Sequence, residues 1–162
     1  MSKKIFLLVM CLIMCLVAGC GKQTDRLSVD STEETSSEET KKPESAKNPL
    51  TGLEDISADK TKNRPVAVMV NNITTAQPVQ TGLTKADIVY ETEVEGGITR
   101  LMAVFQDVTA AEKIGSIRSA RYPYVDLAMG HNAIYVHCGQ DNTYCAPHLK
   151  DTDDIDLMSK NY

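Results

Sequence analysis

The stretch Ile88-Val89-Tyr90-Glu91-Thr92-Glu93-Val94-Glu95-Gly96-Gly97-Ile98-Thr99-Arg100-Leu101-Met102-Ala103-Val104-Phe105 decides the fold. Two alternating runs, IVYETEVE and ITRLMAVF, flank a Gly-Gly pair, the composition that a two-residue hairpin turn with positive φ demands. A turn of that length sets Glu93 opposite Arg100, Glu91 opposite Met102, Tyr90 opposite Ala103 and Ile88 opposite Phe105. One face then carries Ile88, Tyr90, Val94, Leu101, Ala103 and Phe105 and is core. The other carries Glu91, Glu93, Glu95 and Arg100, with Glu93 the expected partner of Arg100.

Working outward, residues 65–70 read PVAVMV, a continuous apolar run bounded by Asn63-Arg64 and Asn71-Asn72. Such a run is a strand buried on both faces. Residues 76–84 contain Pro78 and Gly82 and read as loop, with a helical turn over 84–87. Residues 123–129 read as a helix with Pro123 in its first turn and Gly130 as its stop. Residues 133–136 form another short apolar strand closing on His137. Residues 141–150 read as a last helix, weakened by Pro147. The segment NPLTGL at 48–53 reads as an ordered opening turn that docks two leucines. The whole is a mixed α/β (α+β) single domain, with a central sheet built around the Gly-Gly hairpin and flanked by short helices.

The 162 residues allow one domain with tails. A net charge of −5 excludes a nucleic-acid partner held by bulk electrostatics. The N-terminus is an address. Lys3 and Lys4 precede an apolar run from Ile5 to Val17, and Val17-Ala18-Gly19-Cys20 follows. Small residues ahead of a cysteine are what a lipoprotein signal peptidase requires, so residues 1–19 read as a lipoprotein signal peptide and Cys20 as the lipidation site. Diacylation would anchor the chain stably to a membrane. Removing two lysines with the leader leaves 15 basic against 22 acidic residues, net −7. Residues 20–47 are rich in Ser, Thr, Glu and Lys and read as a disordered tether of roughly 30 Å reach.

Three groups invite chemistry. Glu91 and Glu95 with Arg100 are either a solvated hairpin face with one ion pair, or a cleft whose carboxylates do acid–base work or hold a cation. The GSIRSAR segment at 115–121 presents Arg118, Ser119 and Arg121 ahead of a helix. It is either a capped helix start with surface arginines or an anion-binding loop. His137, Cys138, Cys145 and His148 lie within twelve residues, but not at the spacings of structural zinc sites. A disulfide between Cys138 and Cys145, or two unrelated cysteines, is the favoured reading, and no metal or cofactor is expected.

NPLTGL, RPVAVMVNN, QPVQTGLTKADIVYE, EGGITRLMAVF, IGSIRSAR and the strand ending YVH occur in that order. Together they resemble the YerB-like bacterial lipoproteins, a family whose domain has no known function, over residues 48–157. The resemblance implies placement on the outer face of the cytoplasmic membrane and no established catalytic activity. It also implies that family members continue past this chain, so residues 48–162 are expected to be the N-terminal part of a truncated domain. Its polar turn positions map to Glu95, Gly96, Gly97, Arg100, Arg118, Ser119 and Arg121, where sites tend to sit. Cys138, Gln140 and Asp141 stand where the family usually has Gly and Ser.

Two functions follow. The first is a non-catalytic, lipid-anchored binding or scaffold module that engages wall material or a wall-synthesis protein through the arginine loop. The second is an envelope hydrolase of an anionic or glycan polymer, with Glu91 or Glu95 as acid–base residue and His137 nearby. The lack of a complete nucleophile, base and orienting group favours the first.

Overall fold

The computed structural model describes residues 44–159. The expected leader 1–19, Cys20 and most of the expected tether lie outside the described residues. In chain order the elements are β1 (Ser45–Ala46), β2 (Ile56–Ser57), β3 (Val66–Asn71), β4 (Ile88–Glu93), β5 (Thr99–Phe105), α1 (Tyr122–Gly130), β6 (Ile134–His137), α2 (Ala146–Leu149) and β7 (Asp154–Asp156). Strands β1 and β2 pair antiparallel; the other five form one sheet in the order β4-β5-β3-β6-β7. Strand β3 runs antiparallel to β5 and parallel to β6, and β7 adds parallel to β6. This is the mixed α+β architecture expected, with short helices. Among the described residues no helix is long and apolar enough to cross a membrane.

The apolar run at 65–70 becomes the central strand because both of its faces are covered. Ala67 and Met69 join Met102, Val104, Tyr124, Val125 and Ala128 in one core layer under α1. Val68 and Val70 join Leu101, Ala103 and Phe105 in a second layer, closed by loop residues including Leu83, Ile114 and Ile117.

The hairpin forms, but its register differs from the expected one. Its loop has three residues, Glu95, Gly96 and Gly97, closed by the Val94 N–H donating to the Ile98 carbonyl at 2.8 Å. Both glycines have φ +71°, the left-handed region that suits glycine. Ile88 therefore pairs with Val104, Thr92 with Arg100 and Glu93 with Thr99. A slip of one residue exchanges the faces of a strand. Ile88, Tyr90 and Val94 pack with Met102 and Val104 rather than with Leu101, Ala103 and Phe105. Arg100 turns toward the face of Tyr90 and Thr92, away from Glu91 and Glu93.

Helix α1 has Pro123 in its first turn, as expected, but Gly130 is its last residue rather than its stop. The reversal falls on Asn132, at φ +51°. The Ala133 N–H reaches the Ala128 carbonyl at 2.9 Å and the Asn132 N–H reaches Met129 at 2.8 Å, the paired bonds of a Schellman ending. The expected helix over 141–150 shrinks to α2. The Asp141 carboxylate takes the N–H groups of Tyr144 and Cys145 at 2.6 and 3.1 Å, and Pro147 sits in the first turn. In the opening turn, Asn48 is buried and donates through Nδ2 to Asp87 at 2.6 Å. Leu50 docks on the core, but Leu53 is 61% exposed, so only one leucine docks. Order begins earlier than Asn48, because Ala46 pairs with the buried Ile56.

Candidate functional site

The GSIRSAR segment runs extended past the carboxyl ends of the parallel pair β3 and β6. Its Arg118 N–H bonds the Met69 carbonyl at 3.1 Å, and its Arg118 carbonyl takes the Cys138 N–H at 3.1 Å. Arg118 is thus hydrogen-bonded through its backbone to β3 and to the residue that follows β6, and the segment delivers Arg121 to the start of α1. Strand carboxyl ends that part around an inserted segment form a crevice. Arg100 comes to the same rim from the other direction, because Arg100, the second residue of β5, pairs with Asn71 at the end of β3.

Glu95 joins the two. Arg121 Nε donates to Glu95 Oε1, and Arg100 Nη2 lies 3.7 Å from Glu95 Oε2. Arg100 Nη1 donates to the Ser119 carbonyl, and Arg121 Nη1 donates to the Ala120 carbonyl at 2.7 Å. Arg100 is 4% exposed, and its Nε has no partner among the described residues. The hydrogen bond from Arg121 holds the Glu95 carboxyl below its ordinary range. Burial, and then the like charge of Arg121, weaken the hold of Arg100 on its proton. Arg118 is exposed, close enough for its charge to be felt at Arg100, and pairs with no carboxylate among the described residues. Tyr124, from α1, pins the floor of the rim: its hydroxyl accepts the Thr92 N–H at 2.9 Å and donates to the Arg100 carbonyl.

Of the residues proposed from sequence, Glu95, Arg100, Ser119 and Arg121 come together, with Arg118 beside them. Glu91 does not. It is exposed on the opposite face, accepting from Thr99 Oγ1 at 2.6 Å and Asn72 Nδ2 at 3.0 Å. The Glu93–Arg100 pair is absent because of the register, and Glu95 takes that place from the loop. His137 is fully buried: its Nε2 is 2.9 Å from Asp154 Oδ2 and its Nδ1 is 2.9 Å from the Gly139 carbonyl. It fastens β7 to the sheet and shares no cleft with the glutamates.

Among the described residues no three His, Cys, Asp or Glu side chains converge on a metal position. Cys138 and Cys145 are free thiols, and His148 bonds Asp126 at 2.9 Å, which fits the reading of two unrelated cysteines. Burial of Cys145 pushes its thiol up to about 11.

A cleft of about 380 Å³ opens at the rim, walled by Arg121, Tyr122 and Tyr144 and by three carboxylates, Glu93, Glu95 and Asp141. Tyr122 and Tyr144 are 48% and 70% exposed. Neither tyrosine was singled out in the sequence; an aromatic directly after Arg121, ahead of the helix proline, was the available signal. A larger cleft, about 490 Å³, lies at the other end of the sheet. Two of its three carboxylates are engaged locally: Asp87 accepts from Asn48 and from the Gln106 N–H, and Asp107 from Thr109, while Asp55 is exposed. The smaller cleft is the one that adjoins the buried Arg100, through Glu95 in its wall.

Residues 50–162 match a family described as "Protein of unknown function (DUF3048) N-terminal domain". The chain is similar to a Bacillus subtilis (strain 168) protein named "Putative lipoprotein YerB", 49% identical over 100 residues. That match covers 60% of this chain and 29% of the relative. It is also similar to the crystal structure of YerB protein from Bacillus subtilis, at 41% identity and a TM-score of 0.60, over 68% of this chain and 38% of that one. The chain thus spans well under half the length of the relatives it matches. The likeness read from six ordered motifs is borne out: this chain belongs to the DUF3048 family, and residues 50–162 are its N-terminal domain.

Proposed function

We propose that this protein is a lipid-anchored module of the bacterial envelope, tethered by Cys20 to the outer face of the cytoplasmic membrane. Its folded domain binds, without catalysis, a carboxylate- or phosphate-bearing wall polymer at the rim of Arg100, Arg118 and Arg121. One observation carries the reading. Arg100 and Arg121 meet at Glu95, and the charge of Arg118 is felt at Arg100, in a chain whose charge after loss of the leader is −7. Like charges collected against such a background favour an anion. Support for the anchor comes from the Val-Ala-Gly-Cys sequence and from the name of the Bacillus subtilis relative. The separation of Glu91, Glu95 and His137 supports binding over hydrolysis, because no acid, base and nucleophile face one another there.

The test has two arms. A fatty-acid analogue fed to cells labels the wild type and not Cys20→Ala; equal labelling of both refutes the anchor. Wall fractions retain the wild type and release the Arg118→Glu, Arg121→Glu double variant. Retention of both, with the fold intact, refutes the rim.

A further inference from the structure

The carboxylate that joins the arginines is not built into the core. It is 60% exposed on a three-residue loop, and Cβ atoms added at Gly96 or Gly97 would meet nothing within 4 Å. The guanidinium behind it is the reverse, almost wholly buried and incompletely satisfied. The Arg100 Nε lacks a partner among the described residues, and the Nη2 contact to Glu95, at 3.7 Å, exceeds hydrogen-bond length. A buried charged donor left without an acceptor is costly, so the seat holds more anion-binding capacity than Glu95 uses.

We propose that Glu95 is an internal stand-in for the anionic group of the ligand. It occupies the seat formed by Arg100 and Arg121, and an incoming phosphate or carboxylate displaces it. This rests on the reading of the rim as an anion site, and adds that the site is closed by its own loop until a ligand competes.

Three further observations converge on the seat. The hydrogen bond from Arg121 already holds the Glu95 carboxyl below its ordinary range, so the seat favours an ionised carboxylate. The nine-residue helix α1 starts here, with Tyr122 and Pro123 in the cleft wall, and its N-cap Arg121 supplies no side-chain acceptor to the positive end of the helix. The cleft of about 380 Å³ has room beside the seat for the uncharged part of a ligand, against the exposed faces of Tyr122 and Tyr144. Two consecutive glycines directly after Glu95, both at φ +71°, give the loop the backbone freedom to swing Glu95 outward.

Inorganic phosphate is the probe, titrated into the full chain in a non-ionic detergent and followed through the arginine Nε–H resonances. Glu95→Gln should bind phosphate up to about fivefold more tightly than the wild type, the ratio that loss of one competing exposed ion pair allows. Glu112→Gln, an equal charge change on an exposed loop, should bind as the wild type does. Arg121→Gln placed on Glu95→Gln should erase the gain. Equal affinity of wild type and Glu95→Gln, both weakened by Arg121→Gln, overturns the stand-in and leaves the anion site standing. Absence of phosphate binding in every variant overturns both. A gain shared by Glu112→Gln reduces the effect to net charge and overturns the stand-in.

Discussion

Replacing Tyr124 by Phe removes one oxygen from a fully buried side chain and leaves its packing volume almost unchanged. The hydroxyl accepts the Thr92 N–H at 2.9 Å and donates to the Arg100 carbonyl, so one atom ties α1 to both strands of the hairpin. Its loss leaves a backbone donor and a backbone acceptor without this partner. The cost of a polar group deprived of its partner in a buried setting is about 1–3 kcal/mol, so about 2 kcal/mol is expected here. For a fold of this size each kcal/mol lowers Tm by roughly 4–5 °C, which gives a fall of about 8–10 °C. Thermal unfolding followed by circular dichroism measures the fall. Hydrogen exchange at the Thr92 amide should quicken at the same time. A Tm within about 2 °C of wild type, with Thr92 still protected, would refute the claim that this hydroxyl holds the floor of the rim.

Gly97→Val should cost at least about 1 kcal/mol, because a β-branched residue resists φ +71° even in open space; an unchanged urea midpoint would contradict the turn. The acid response has a fixed sign. The Glu95 carboxyl is lowered chiefly by Arg121; at Asp156 burial works upward and the N–H groups of Gly139 and Met158 outweigh it. Depressed carboxyls contribute stability above their ordinary values, 4.5 and 3.8, and lose it as pH falls through the folded-state values. Glu95→Gln and Asp156→Asn should therefore be less stable than wild type at neutral pH and converge with it in acid; a gap that widens on acidification counts against the pairing. A thiol reagent at pH 8 should modify the part-exposed Cys138 well before Cys145, whose thiol is buried and pushed up to about 11. Equal rates in the folded protein would contradict that burial.

The strongest elements were legible because local pattern and tertiary role agree. The apolar run 65–70 has no polar face, so only a strand covered on both sides suits it, and β3 is that strand. The Gly-Gly pair announced a hairpin, but two residues of glycine do not reveal whether Glu95 belongs to strand or loop. That single residue decides the register, and with it the side on which Arg100 lies. Counting Glu95 into the loop would have placed Arg100 beside Thr92 from sequence alone. Strand β7 was not legible: Asp154-Ile155-Asp156 carries one apolar residue and forms because β6 offers an open edge and His137 a partner for Asp154. Strand β1 hid in the same way, in a tether-like composition where Ala46 is the one small apolar residue available to meet Ile56. The arginines of the rim were visible as residues. Their convergence was not, because it depends on the GSIRSAR segment passing between the ends of β3 and β6, a long-range placement that no local pattern encodes.

The most direct test of the account is the affinity of the full chain for purified anionic wall polymer, measured across a salt series for the wild type and for the Arg118→Gln, Arg121→Gln double variant. The arginine rim predicts saturable binding that weakens as salt rises, as contacts between guanidinium and anion do. In the double variant it predicts loss of binding without loss of Tm beyond a few degrees. Equal affinity of the two proteins at every salt concentration would contradict it.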